Sequence, residues 1–238
     1  MTMTNALADG LKEDHEWDRT WTDVFNQYQR DLRHAHYIHA FCRPQDRVLE
    51  IAAGSFRDVA MLNRLGIDCH GMDYSGEAVS RTIGEYPDLK DKATKMDAFA
   101  LTYGDKAFDV SYHNGFWGLF GDEDMARLAR EQATVSRRLM IATVHNGHNA
   151  DFVDYFARVS QTDPLYRIRF FTVDEITDIM KTVARNVTVI PVGKGKKSHE
   201  DELINRGKTD PAILKRYFDR CGHKFLEQSE RLLCIGEL

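Results

Sequence analysis

Apolar and polar positions along this chain follow two periods, which predict helices and strands in turn. From Glu16 to Phe41 apolar residues recur at steps of three and four, the spacing of one helix face. Pro44 and Asp46 end this predicted helix. Short apolar runs follow, each with a turn of small residues and then an amphipathic run. This alternation predicts an α/β fold with a mostly parallel sheet and helices on both faces.

Two sets of elements follow from the pattern. The predicted strands are 47–52, 69–72, 92–96, 107–112, 139–144, 186–192 and 232–236. The predicted helices after the first are 59–65, 75–86, 122–138, 173–183 and about 211–225. Ser75 is expected to cap the second of these, and Thr172 with Glu175 is expected to form a capping box. Segments 146–170 and 193–227 fall outside the alternation.

Composition narrows the class of protein. The 238 residues are 42% hydrophobic and 29% charged, as in soluble globular proteins, and they suffice for one large α/β domain. The net charge of −5 weighs against a nucleic-acid partner. No apolar run approaches the ~18 residues of a membrane span, and the first residues lack the apolar core of a signal peptide. Four scattered cysteines predict free thiols, so we expect a cytoplasmic protein.

Candidate chemistry lies where the predicted strands end. Glu50 comes near the end of the first strand and is followed by a turn of small residues, among them Ala52 and Gly54. Small residues at such a turn let a ligand approach the backbone, and open α/β sheets bind ligands at this edge. Asp73 ends the second strand, where a carboxylate can accept both hydroxyls of a ribose. Asp97 ends the third and can accept from an adenine amino group.

These segments, in this order, resemble the class I S-adenosylmethionine (SAM)-dependent methyltransferases. The resemblance covers roughly residues 17–192 and rests on the series of motifs more than on any one of them. The matching segments are 48–58, 70–75, 96–98, 108–114, 143–146 and 171–176. It implies a Rossmann-like sheet of seven strands with the last one antiparallel, and SAM as cofactor. It also implies one domain over 1–238, with an N-terminal helical lid (1–43), a core (44–192) and a C-terminal insertion with the last strand (193–238).

The resemblance assigns cofactor-binding residues position by position. They are Glu50, Ala52, Gly54, Asp73, Tyr74, Asp97, Ala98, Asn114 and, on the lid, Tyr28. The chain departs from the family in the first turn, which usually carries three glycines. Only Gly54 is present here, and Ala52 and Phe56 occupy the other two places. Alanine is small, but Phe56 must point away from the cofactor or narrow its site.

Two other ligand classes fit the sequence less well. A dinucleotide site requires a G-x-G-x-x-G turn after the first strand, and the turn over 52–58 contains one glycine, Gly54. A metal site is not expected either. His34 and His36 lie two residues apart on the first helix and point in different directions, and no acid or cysteine completes a ligand set.

Catalytic and substrate-binding candidates follow the fourth and fifth strands. His113 and His145 are candidate general bases, with a hydrogen-bonded cavity wall as the alternative for each. Phe116 and Trp117 lie in an aromatic turn that either lines the substrate site or packs the sheet edge. Asn146 is a further candidate for binding substrate. We expect the side chains at positions 113, 114, 145 and 146 to converge near the transferred methyl.

The function expected from this sequence is SAM-dependent methyl transfer to an oxygen, nitrogen or carbon atom of a small molecule. One alternative keeps SAM and changes the reaction, as in a cyclase or an aminocarboxypropyl transferase that releases methylthioadenosine. Another is an inactive SAM-binding module within a complex. The adenosine-binding motifs are the same in all three, so the sequence leaves them open.

Overall fold

The structure is a computed structural model that describes residues 14–29, 31–193, 197–206 and 210–238. Its strands are β1 (Arg47–Ile51), β2 (Asp68–Asp73), β3 (Ala93–Lys95), β4 (Phe108–Asn114), β5 (Ser136–Asn146), β6 (Phe170–Phe171), β7 (Asn186–Val192) and β8 (Arg231–Glu237). Its α-helices are α1 (Asp14–Val24), α2 (Arg33–His39), α3 (Arg57–Arg64), α4 (Gly76–Glu85), α5 (Asp122–Val135), α6 (Ala150–Val159), α7 (Val173–Lys181), α8 (Lys197–Arg206) and α9 (Ala212–Cys221). Short 3-10 helices span Phe25–Gln29, Pro87–Leu89, Phe116–Leu119, Pro164–Tyr166 and Leu226–Gln228.

The strands form one mixed sheet in the order β3-β2-β1-β4-β5-β8-β7, with β6 paired to β5. The first five strands run parallel, and β8 is antiparallel to both β5 and β7. The order in which strands are added across the sheet changes direction at β1. Strands β2 and β3 lie on one side of β1, and β4 and the later strands lie on the other. The carboxyl ends of β1 and β4 therefore flank the crevice where such sheets bind ligands.

Both faces of the sheet are buried under helices. One core cluster joins β1 and β4 to α2, α3 and α9 through residues such as Ile38, Leu62 and Phe218. The other joins the opposite face to α5 and α7 through residues such as Met125 and Ile176. The predicted α/β architecture is confirmed, and the sheet has one more short strand, β6, than the sequence predicted. A two-residue strand has too short a pattern to be recognised in the sequence.

The predicted continuous helix over 16–41 is wrong. It is divided into α1, a 3-10 helix and α2. The Gln29 side chain donates to the Ser55 carbonyl and accepts from the Tyr86 hydroxyl, which fixes this segment to the core. The Asp31 carboxylate accepts the Arg33 backbone N–H, a local bond that competes with helix continuation.

Other element boundaries agree more closely. Ser75 caps α4 by accepting from the Ala78 N–H, and Thr172 and Glu175 form the predicted capping box. The helix predicted over 122–138 ends at Val135, where β5 begins. The segment 146–170, which matched no element pattern, contains α6. Among the described residues, no helix has the length and hydropathy to cross a membrane.

Candidate functional site

A cavity of about 860 Å³ lies at the carboxyl edge of the parallel strands. The ends of β1, β2 and β4 form its floor, and residues of α1 and of the 3-10 helix after it form part of its wall. The segment after α6 and the first residue of β8 line it as well. The predicted cofactor residues that line it are Glu50, Ala52, Asp73, Tyr74, Asp97, Ala98, Asn114 and Tyr28, together with the predicted substrate residue Phe116.

The turn after β1 has an unusual backbone. Ala52, Gly54 and Phe56 have φ values of 54°, 55° and 50°, so every second residue is left-handed. These are the three positions at which the resembling family carries glycine. A residue with a Cβ pays about 1–2 kcal/mol for this conformation, and the rest of the fold must compensate at Ala52 and Phe56.

Phe56 does not narrow the cavity. Its side chain is fully buried in the core cluster that includes Val59. A Cβ on Gly71 of β2 would lie 2.8 Å from the Phe56 ring, so the glycine in β2 makes room for it. The bulky residue at the third position of the turn therefore faces away from the ligand site, and burial offsets its backbone strain.

Gly54 lies beneath the indole of Trp21 on α1. A Cβ at this position would overlap the six-membered ring of Trp21, so a side chain at position 54 is incompatible with the observed position of α1. The Gly54 N–H donates to Oδ2 of Asp73 at 2.8 Å. Gly54 thus joins the turn, the second strand and α1, but unlike its neighbours it is not part of the cavity wall.

Asp18 fixes α1 to the start of α4. Its Oδ1 accepts from the Ser75 hydroxyl at 2.5 Å and from the Glu77 backbone N–H at 3.0 Å. A carboxylate at a helix amino terminus is stabilised by the unpaired N–H groups there. This bond holds α1 across the cavity and places Trp17 and Trp21 in its wall.

Asp73 is the buried carboxylate of the cavity floor. Oδ2 accepts from Gly54 and Oδ1 from the Ser75 N–H at 2.9 Å. Burial raises its pKa to about 6, the backbone donors oppose that shift, and the charge of Asp18 adds to it. Each carboxylate oxygen has a further lone pair, so Asp73 retains acceptor capacity toward a ligand hydroxyl.

The β2 and β3 end of the cavity combines acceptors with an aromatic ring. Asp97 accepts the Phe99 backbone N–H at Oδ1, 2.9 Å away, which orders the turn after β3. Arg127 of α5 lies over the Phe99 ring, 4.8 Å from its centroid, and pairs with Asp124 at 3.4 Å. Asp97 and the ring of Phe99 therefore offer a flat, hydrogen-bonding surface beside Asp73.

A buried network of polar side chains extends from the cavity wall into the protein. Glu50 accepts from the Tyr112 hydroxyl at 3.0 Å, and burial, with the nearby charge of Asp58, raises the pKa of Glu50 well above its usual range. The His34 imidazole bridges Asp58 and Thr143, with Nδ1 2.6 Å from Asp58 Oδ2 and Nε2 2.8 Å from Thr143 Oγ1. This network connects α2 and α3 to β5 directly under the site.

The expected convergence of four side chains is wrong for two of them. Asn114 and His145 line the cavity, whereas His113 and Asn146 do not. Successive residues of a strand point to opposite faces, so neighbours in β4 and β5 separate. Asn146 instead donates to the Leu226 and Ser229 carbonyls and anchors the segment before β8.

His113 and Trp117 pack together inside the protein. Both are buried, their ring centroids lie 4.8 Å apart, and neither lines the cavity. Neither imidazole nitrogen of His113 has a hydrogen-bond partner among the described residues, and burial lowers its pKa to about 3. The predicted substrate contact of Trp117 and the predicted base role of His113 are not supported by this geometry, since both side chains are shielded from the cavity.

His145 lies in the cavity wall but is held by Arg231. The two residues are cross-strand partners of β5 and β8, and Arg231 Nη1 donates to His145 Nε2. Burial and the charge of Arg231 lower the pKa of His145 well below its usual range. A ring nitrogen that already accepts from a guanidinium is poorly placed to take a proton from a substrate.

Several residues that line the cavity were not predicted from the sequence. Arg231 lines the cavity because β8 is antiparallel, which places its first residue at the carboxyl end of β5. Arg57, at the start of α3, and Asp163 also line it. The family resemblance implies an antiparallel last strand, and such a strand must begin at this edge. The contribution of the segment 163–168 depends on how α6 packs, which no local pattern reveals.

Known proteins share this architecture at the level of structure and not of sequence. No model of a protein family matches the chain, and no curated protein matches it either. Solved structures do. A SAM-dependent methyltransferase from Thermotoga maritima, described as a possible histamine N-methyltransferase, matches with a TM-score of 0.63 at 16% identity. The match covers 94% of this chain and 99% of that one.

The chain has the class I SAM-dependent methyltransferase fold. Two further matches are enzymes with different reactions that share this fold. The geranyl diphosphate C-methyltransferase of Streptomyces coelicolor A3(2), solved with S-adenosyl-L-homocysteine, matches with a TM-score of 0.53 at 16% identity, covering 82% of this chain and 70% of that one. The [4+2]-cyclase SpnF matches with a TM-score of 0.54 at 13% identity, covering 86% of this chain and 80% of that one.

Proposed function

We propose that this protein binds SAM in the cavity and transfers its methyl group to a small molecule. The observation that carries the proposal is that Glu50, Asp73 and Asp97, from the carboxyl ends of three separate strands, lie in the wall of one cavity. These are the acids that the sequence pattern assigned to the cofactor. Fold alone does not establish an activity, so the proposal rests on this site.

The residues present suit an adenosine ligand. Asp73 would accept the ribose hydroxyls, because its carboxylate is fixed by two backbone N–H groups and keeps free lone pairs. Asp97 would accept from the adenine amino group, and the Phe99 ring would contact the flat base. Asn114, at the end of β4, would face the amino-acid part of the cofactor.

When bound, SAM supplies a methyl group on a positively charged sulfur, which is already activated for transfer. The work left to this chain is to align donor and acceptor and to exclude water, effects that contribute at most about 7–11 kcal/mol. Helix α1 serves both purposes in this proposal. Asp18 holds it across the cavity, and Trp17 and Trp21 present apolar surface to the ligand.

A histidine base is not part of the proposed mechanism. His113 is shielded from the cavity, and the accepting nitrogen of His145 is occupied by Arg231. Methyl transfer from an activated donor proceeds by alignment alone when the acceptor already presents a lone pair. The cavity's aromatic residues, including Tyr28 and Phe116, supply faces that favour a cationic sulfonium.

The test is mass spectrometry of purified protein incubated with SAM, with and without a metabolite extract. The expected result is S-adenosylhomocysteine and an extract component heavier by one methyl group, both lost in the Asp73→Ala variant. Methylthioadenosine as the product would replace methyl transfer with cyclase-type or aminocarboxypropyl-type chemistry. SAM binding without turnover in any extract would indicate an inactive binding module.

A further inference from the structure

The cavity has two chemically distinct ends. Asp73, Asp97 and Phe99 form the end beside β2 and β3, which the proposed function assigns to adenosine. The opposite end lies beside β5 and β8 and is formed by two arginines and a group of aromatic rings. We call it the β5–β8 end; its residues are Tyr28, Arg57, His145, Phe156, Tyr166 and Arg231.

Arg231 brings a positive charge to the β5–β8 end without a direct ion pair to an acid among the described residues. Its guanidinium donates to the neutral imidazole of His145. Among the ion pairs of the described residues, none joins Arg231 to a carboxylate. Burial lowers its pKa to about 10, so it stays protonated at neutral pH. A half-buried cation that lacks a direct ion pair favours an anionic ligand.

Arg57 adds a second cation to the same end. Its Nη1 donates to the Tyr28 carbonyl, and its Nε lies 3.7 Å from Oδ1 of Asp58. The charge of Glu230 raises the pKa of Arg231 and that of Arg57 lowers it, so both groups are close enough to interact with the Arg231 guanidinium. Arg57 pairs with Asp58, whereas Arg231 has no direct ion pair among the described residues, so Arg231 is the cation that is open to a ligand carboxylate.

Aromatic rings form the rest of this end. The Phe156 ring centroid lies 5.3 Å from that of His145 and 4.9 Å from that of Tyr166. Ile168 and Leu165 extend the apolar wall. Asp163 also lines the cavity, and its Oδ1 accepts the Leu165 backbone N–H at 3.0 Å. A flat apolar ligand fits against these side chains, and the guanidinium fork suits a carboxylate.

We propose that the acceptor of the methyl group is an aromatic carboxylic acid, whose carboxylate binds Arg231 and whose ring lies against Phe156 and Tyr166. This inference rests on the proposed function, since it names the substrate class of the same cavity. It assigns Arg231 a specificity-determining role and leaves Asp73 and Asp97 to the cofactor. The competing occupant of Arg231 is the carboxylate of the cofactor itself.

The test is titration calorimetry with two probes on protein saturated with S-adenosylhomocysteine. The probes are phenylacetate and its neutral analogue 2-phenylethanol. The variants are Arg231→Gln, Arg231→Lys and, as a matched control, Arg158→Gln, which removes an exposed arginine of α6 outside the cavity. Affinity for S-adenosylhomocysteine is measured for every variant, so that failure of the cofactor site is seen separately.

Phenylacetate should bind the native complex at least about tenfold more tightly than 2-phenylethanol, as expected for a charge-assisted hydrogen bond. Arg231→Gln should abolish that preference without weakening S-adenosylhomocysteine, Arg231→Lys should retain part of it, and Arg158→Gln should match the native protein. The comparison of the two probes on the native protein tests the proposal even if Arg231→Gln fails to fold.

Equal binding of the two probes, or no binding of either at millimolar concentration, would overturn the inference while S-adenosylhomocysteine binding keeps the proposed function intact. Loss of S-adenosylhomocysteine affinity in Arg231→Gln, with phenylacetate binding unchanged, would instead assign Arg231 to the cofactor carboxylate. If S-adenosylhomocysteine does not bind the native protein, the proposed function fails first.

Discussion

The contact between Gly54 and Trp21 makes the most specific prediction about how α1 packs on the turn after β1. In Gly54→Ala the new Cβ would overlap the indole ring of Trp21. The backbone at this position has φ of 55°, which a residue with a Cβ adopts at a cost. The substitution therefore adds backbone strain and forces Trp21, with α1, away from the turn.

The two contributions are separable in size. The left-handed backbone accounts for about 1–2 kcal/mol of destabilisation. Displacing a packed tryptophan adds a coupling of about 0.5–3 kcal/mol between the two positions. We expect Gly54→Ala to lose about 1.5–5 kcal/mol of unfolding free energy and to bind S-adenosylhomocysteine at least about tenfold more weakly, since α1 no longer covers the cavity.

Gly66 provides a matched control. Its φ is 85°, and a Cβ there would meet nothing within 4 Å. Gly66→Ala therefore introduces a left-handed alanine without a collision, and should cost only the backbone contribution while leaving cofactor affinity unchanged. Urea unfolding and titration calorimetry on both variants, and on Gly54→Ala combined with Trp21→Ala, complete the comparison.

The double variant decides whether the collision is the cause. Once the indole is removed, Gly54→Ala should cost no more than Gly66→Ala. If Gly54→Ala binds S-adenosylhomocysteine like the native protein, or if its extra cost persists without Trp21, the reasoning from this contact is refuted.

Three further predictions concern the floor of the cavity and the strand beside it. For Asp73, whose pKa is raised to about 6, affinity for S-adenosylhomocysteine should fall as pH drops through that value, because the ionised carboxylate accepts the ribose hydroxyls. Calorimetry across pH should show that Asp73→Asn binds S-adenosylhomocysteine more weakly and with less dependence on pH. A pH profile identical to that of the native protein would show that Asp73 does not bind the ligand. Ala52→Gly should stabilise the protein by about 0.5–1 kcal/mol in urea unfolding by relieving its left-handed backbone, and a loss of stability would contradict the strain argument. His113→Leu should fold with at least native stability at pH 7, since it removes two buried nitrogens that lack partners among the described residues. The pKa of this histidine is depressed to about 3, below its unfolded value, so the native protein loses stability as pH falls below about 6.5. His113→Leu should lose less stability over the same pH range. Equal losses in the two proteins would contradict the burial of His113.

The sheet could be predicted from the sequence because the hydrophobic patterns of strands and helices differ in period. The boundaries of Asn186–Val192 and the caps at Ser75 and Thr172 followed from local rules, because side chain and backbone there interact within a few residues. The break in the first helix did not follow. It depends on Gln29 reaching Ser55, a contact between segments distant in sequence.

The site was predictable to the extent that it lies at strand ends. Asp73 and Asp97 follow parallel strands, whose carboxyl ends share one edge, so their presence in one cavity could be expected. Which face each residue of β4 presents could not, because both faces of a central strand are buried and the apolar pattern is the same on each. His113 and Asn114 were therefore assigned together, although the structure separates them.

Titration calorimetry of the purified protein with SAM and, separately, with NAD tests the central claim most directly. The three acids at successive strand ends, Glu50 at the first among them, favour SAM over a dinucleotide. The expected result is saturable binding of SAM, strongly weakened in Asp73→Ala, and no binding of NAD. Binding of NAD without binding of SAM would contradict the account.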